Sequence, residues 1–89
     1  MEMEPLTLDV RDDVRAGRDP FARIMDALAS LEADQSLVLI NVFEPVPLYG
    51  VMSARGFEHD TDRLSDGDWQ VRFFRRRAAV TTAETQAGQ

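Results

Sequence analysis

Residues 36–56, SLVLINVFEPVPLYGVMSARG, join a nearly continuous apolar run to an acid-proline turn and a second apolar-patterned segment. An apolar run this short, rich in Val, Leu and Ile and bounded by polar residues, predicts a strand buried on both faces and central to a sheet. The segment after it, from about residue 45 to 55, reads as a helix with Leu48, Val51 and Met52 inward and Gly56 as its C-terminal stop. Strand-to-helix junctions of this kind commonly hold anions, because free backbone N–H groups meet the positive end of the helix dipole there. Here Pro45 and Pro47 have no N–H to offer and Glu44 repels a negative charge, which disfavours a phosphate or nucleotide.

The rest of the chain arranges itself around that strand. Leu6, Leu8 and Val10 alternate with Thr7, Asp9 and Arg11, the pattern of a strand over 6–10 with one buried face. The charged segment RDDVRAGRD, with Gly17, reads as an exposed loop. Asp19 then serves as an N-cap and Pro20 as the first residue of a helix running to about residue 31, with Phe21, Ile24, Met25, Leu28 and Leu31 in one apolar stripe. Phe57, His59 and Thr61 alternate with Glu58, Asp60 and Asp62 in a third strand. SDGD at 65–68 supplies a hairpin turn into a fourth strand, from Trp69 to about residue 76, with Trp69, Val71 and Phe73 facing the core.

The expected fold is therefore α+β: a two-layer sandwich in the order β-α-β-α-β-β, with two helices on one face of a four-stranded mixed sheet. Its boundaries are a flexible N-terminus at 1–5, a domain over 6–77 and a disordered tail over 78–89, AAVTTAETQAGQ, which has nothing bulky to bury. The other sheet face carries Val38, Ile40, Val42 and Phe74. Two readings cover it: self-association as a homodimer, or shielding by arginine and glutamine stems.

Composition removes whole classes of function. The 89 residues contain no cysteine, which excludes disulfides, thiolate metal sites and thiol chemistry from them. A formal charge of −6 argues against nucleic-acid and anionic-membrane partners. The N-terminus MEMEPLTLD has neither the basic nor the apolar region of a signal peptide, and no apolar run reaches transmembrane length, so the expected location is cytoplasmic. All ten cations are arginine.

With the elements placed, LDVR at residues 8–11, Asp19-Pro20 and NVFEPVPLY at residues 41–49 resemble words of the TusA/SirA-like superfamily of small sulfur carriers. The similarity spans about residues 6–77 and lies closest to a prokaryotic branch known only as a domain of unknown function, with LDVR and EPxPLY words. In the carriers a Cys-Pro dipeptide opens the first helix and its thiolate accepts sulfur as a persulfide. The matching dipeptide here is Asp19-Pro20, after a longer loop, and an aspartate cannot form a persulfide. The closer branch implies the fold and, in some relatives, association with hemerythrin-like domains or with proteins of respiratory and nitrogen-oxide metabolism.

Two functions compete. The first is a non-catalytic binding or protein-interaction module acting through Asp19, Asn41, Glu44 and Tyr49, with no cofactor. Asn41 stands out as an amide inside an apolar strand, which must be hydrogen-bonded either to the following loop or to a ligand. Tyr49 and Phe43 read either as an aromatic contact surface or as core staples. The second is a metal- or small-ligand-dependent enzyme using the carboxylates Asp9, Asp12, Asp19 and Glu44, with Asp13 beside them. The same carboxylates also read as caps and as partners of Arg11, Arg15 and Arg18, and no calcium-loop spacing is present. His59 is the only histidine, and alternation directs it away from Asp60 and Asp62, against a metal site. Arg75, Arg76 and Arg77 read as a solvated strand end. No nucleophile elbow surrounds any serine, and no glycine-rich phosphate loop is present.

Overall fold

The computed structural model describes residues 3–76. The expected tail over 78–89 lies outside the described residues, as does Arg77. Seven elements follow in chain order: β1 Leu6–Asp9, α1 Arg11–Arg15, α2 Phe21–Ala29, β2 Leu37–Asn41, α3 Val46–Ala54, β3 Phe57–Arg63 and β4 Trp69–Arg75. They form an α+β two-layer sandwich whose sheet has the order β1-β2-β4-β3. β1 runs parallel to β2, while β4 runs antiparallel to both β2 and β3. Among the described residues no helix is long and apolar enough to cross a membrane.

Strand β2 is central, as its apolar run requires. Leu37 and Leu39 lose all exposure on the helix-covered face, beside Val71 and Phe73 of β4, which are equally buried. Ile24, Leu28 and Leu31 close that core from the α2 side, and Leu48 and Met52 from α3. On the opposite face Val38, Ile40 and Phe74 are half-buried. The Arg72 guanidinium lies 4.6 Å from the centre of the Phe74 ring and 3.4 Å from Asp60, so an arginine stem covers part of this face.

The structure corrects the expectation of an exposed loop after β1. Residues 11–15 form the helix α1, and Val10 just before it has no exposed surface. Asp12 and Asp13 lie in its first turn and Arg15 in its last, the arrangement that suits the helix dipole. Gly17, at φ +79°, ends it in a Schellman motif: the Gly17 N–H donates to the Val14 carbonyl at 3.0 Å and the Arg18 N–H to the Asp13 carbonyl at 2.8 Å. The helical order is therefore β-α-α-β-α-β-β, with a short helix added to the two expected.

Two further boundaries shift, and one side chain is less buried than expected. Strand β2 ends at Asn41, so Val42 and Phe43 belong to the turn into α3. Helix α2 starts at Phe21, and that side chain is exposed instead of joining the stripe, because side chains in a first turn lean past the helix start. Trp69 is half-buried, since it opens β4 at the end of the sheet, with Arg63 5.0 Å from its ring centre. The hairpin is as expected: Leu64 and Asp68 close it through a 2.7 Å bond, and Gly67 donates back to Leu64. Gly56, at φ +89°, ends α3.

Truncating Phe73 to alanine removes a fully buried ring beside Tyr49 and His59 and costs about 3–5 kcal/mol. Phe43→Ala, at an exposed position, changes stability by about 0.5 kcal/mol or less. Urea unfolding of the two variants measures the difference.

Candidate functional site

The topology collects the ends of β1 and β2, the starts of α2 and α3 and the β3–β4 turn at one end of the sheet. Asn41, 3% exposed, is the last residue of β2 and pairs with Trp69. Its Oδ1 accepts a 2.8 Å bond from the Val42 N–H, so the amide ties down the turn that follows. Pro45 is buried, and the turn closes as the Val46 N–H donates to the Glu44 carbonyl at 2.8 Å. Phe43 and Val46 on this turn are left 49% and 55% exposed, although both are large and apolar.

Tyr49, one turn into α3, gathers the neighbouring groups. Its hydroxyl donates to Glu44 Oε2 at 3.1 Å and lies 2.6 Å from Thr61 Oγ1, which is then the donor to it. The His59 imidazole stacks face to face on the Tyr49 ring, with centroids 3.7 Å apart and planes 5° apart, and the buried Phe73 ring lies 6.3 Å from each. Burial pushes the Tyr49 phenol above its ordinary value; the Thr61 donor opposes this and the Glu44 carboxylate adds to it. A shallow cleft of about 260 Å³ beside this stack is lined by Ser53, Phe57, Glu58, His59 and Arg76.

Of the four residues singled out in the sequence, the structure hydrogen-bonds Glu44 to Tyr49. Asn41 bonds within its own turn; Asp19 accepts the Phe21 N–H at 2.9 Å but lies one residue before the cap, which is Pro20 and not Asp19 as expected, because the Pro20 carbonyl accepts the first helical bond, from Ile24. Thr61 and His59 were not assigned to this cluster by sequence. Strand alternation had already placed both on one face, so positioning α3 over that face supplies the missing signal.

The acidic residues around β1 and α1 meet arginines. Arg11 grips Asp9 with two nitrogens, Nε 3.0 Å from Oδ1 and Nη2 2.8 Å from Oδ2. It also reaches Asp68 at 2.9 Å across 57 residues of sequence, and Arg15 approaches Asp68 at 3.6 Å. The Arg11 side-chain bonds hold the Asp9 carboxyl below its ordinary range, and the Asp9 bond in turn raises the Arg11 guanidinium. Buried Asp13 accepts from Arg23 and, at 3.0 Å, from Arg18, which lowers its carboxyl in that order of strength. Asp12 stands almost fully exposed, with Arg15 3.9 Å away. Among the described residues no three His, Asp or Glu side chains converge as metal ligands.

This arrangement defines a small open-sheet α+β domain whose strand ends are closed by arginine–aspartate pairs and a proline-braced turn. Over residues 7–75 the chain matches the family of uncharacterized conserved proteins designated DUF2249, and it belongs to that family. Neither the curated proteins nor the solved structures give a match.

Tyr49 is the only tyrosine, so its ionisation is readable by ultraviolet absorbance, with a midpoint above 10 that falls in Glu44→Gln. A phenol raised on folding contributes stability that is present below the unfolded value of 10.0 and lost as pH rises through the folded one. Asp13 has the opposite sign: its folded value is depressed below 3.8, so its contribution is complete above about pH 5 and lost as pH falls through the folded value. Asp13→Asn therefore lowers the melting temperature at pH 7 and flattens its decline below pH 5.

Proposed function

We propose that this chain is a non-catalytic protein-interaction module of the TusA/SirA-like kind, working without persulfide transfer. The observation that carries the reading is the β2–α3 turn, where Phe43 and Val46 are held in water by a backbone fixed from beneath by buried Pro45, Asn41 and the Tyr49–Glu44 bond. Exposed apolar groups on a stiff support bind a partner with little ordering cost. Exposed Phe21 starts α2 at the same end of the sheet.

The element order and the Asp19-Pro20 helix start support the superfamily relation, and a chain without cysteine carries no sulfur as persulfide. Partners of the hemerythrin-like or respiratory and nitrogen-oxide class enter as candidates through that relation. The carboxylate-based enzyme has less support, because Asp9 and Asp13 are occupied by guanidinium groups and Glu44 by the Tyr49 hydroxyl.

A photo-crosslinking phenylalanine analogue at position 43, expressed in the native host, is expected to give one adduct of defined mass. The same analogue at Asp34, in the connection at the far end of the sheet, gives none. Val46→Asp weakens the position-43 adduct. Absence of an adduct at 43, or equal adducts at both positions, overturns the reading.

A further inference from the structure

The sheet has two edges of unequal kind. β1 offers four residues, whereas β3 offers seven, Phe57–Arg63. The pairing of β3 with β4 tells which of its backbone groups remain free. Arg76 donates to the Gly56 carbonyl at 2.7 Å and Leu64 to the Asp68 carbonyl at 2.7 Å, and both pairs continue the β3–β4 register. In an antiparallel pair hydrogen-bonded positions alternate, so Glu58, Asp60 and Asp62 bond to β4. The N–H and C=O groups of Phe57, His59, Thr61 and Arg63 then point outward from the sheet.

The side chains of this edge carry a one-sided charge pattern. Glu58, Asp60 and Asp62 lie in a row on the face away from the helices, all exposed. Their cross-strand neighbours compensate only part of the row: Arg76 is 3.7 Å from Glu58, Arg72 is 3.4 Å from Asp60, and Asp62 stands opposite Gln70. On the helix face the same strand shows His59, stacked on Tyr49, and Thr61. A second copy pairing antiparallel through this edge sets three carboxylates against three carboxylates, which is unfavourable. An incoming strand with cations at every second residue meets the opposite situation.

We propose that the β3 edge binds an extended segment of a partner protein, with arginine or lysine at alternate positions beside Glu58, Asp60 and Asp62 and apolar residues between them beside the His59 ring. Main-chain bonds to His59, Thr61 and Arg63 supply the affinity, since Phe57 is buried at the strand start, and the acidic row selects the partner and its register. This surface is separate from the Phe43–Val46 turn, and the two readings stand or fall independently.

The test uses the full chain, isotope-labelled for amide NMR, and three capped heptapeptides. One alternates Arg and Val, one alternates Glu and Val, and the third is the Arg-Val peptide N-methylated on the backbone nitrogens of one edge. The expected result is binding of the Arg-Val peptide with amide shifts centred on residues 59, 61 and 63. Affinity for the Glu-Val peptide is weaker by about tenfold or more, and N-methylation removes the edge shifts. In Asp60→Lys/Asp62→Lys the preference between Arg and Glu peptides inverts, a comparison made within one folded variant. Equal binding of the Arg and Glu peptides, no binding of either, shifts located away from β3, or indifference to N-methylation overturns the proposal; in that case the acidic row only keeps edges apart.

Discussion

Removing Leu37 and Leu39 of β2 from water is the constraint on which the rest of the domain depends. Both side chains have no exposed surface, and the strand that carries them is paired on both sides, to β1 in parallel and to β4 antiparallel. A parallel neighbour requires a crossover, and α2 fills it while covering the face on which the two leucines lie. An antiparallel neighbour on the other side brings the β3–β4 hairpin home and sets Val71 and Phe73 beside the leucines. Helix α3 then closes the core over β3 with Leu48 and Met52, which fixes Tyr49 above His59 and Thr61. The position of the Tyr49 cluster is thus a consequence of which face of β2 is dry.

How much of this was legible in the sequence depended on whether local pattern or distant pairing decides the structure. The apolar run of β2, the stop at Gly56 and the SDGD turn are local signals, and each is found in the structure, with β2 ending two residues earlier, at Asn41. Helix α1 was not legible, because its five residues RDDVR look like a solvated loop when taken alone. Its charges are instead spent on partners elsewhere: Asp13 on Arg18 and Arg23, and Arg11 on Asp9 and on Asp68, 57 positions away. Helical periodicity records apolar spacing, and it is blind to a helix held by the ion pairs of a buried aspartate and by the fully buried Val10 before it.

The candidate site divides the same way. Asn41 as the residue that ties the turn follows from a rule about a single position, and the structure places it in that role; Asp19 accepts the Phe21 N–H, but the cap position itself falls to Pro20. The Glu44–Tyr49–Thr61 chain of hydroxyl and carboxylate bonds needs α3 and β3 in contact. Nothing within five residues of Tyr49 announces Thr61. For Phe43 the sequence left a contact surface and a core staple both open, and its exposure is decided where the strand ends at Asn41.

The exclusive use of arginine among the cations acquires a structural meaning once the contacts are known. A guanidinium is a flat fork that can hold a carboxylate with two nitrogens or lie over an aromatic ring, and an ammonium group does neither as well. Arg11 uses the fork on Asp9, and Arg18 and Arg23 divide the two oxygens of Asp13. Arg63, Arg72 and Arg75 use the plane, lying 5.0, 4.6 and 5.0 Å from the ring centres of Trp69, Phe74 and Phe57. Trp69 and Phe74 are half-buried at the margin of the core, and Phe57 is a buried core ring that Arg75 covers from outside. Their cover comes from side chains whose apolar stems exclude water and whose charged ends remain in it. A domain this small, with one layer of helices, keeps its aromatic margin folded by using cations as part of its hydrophobic surface.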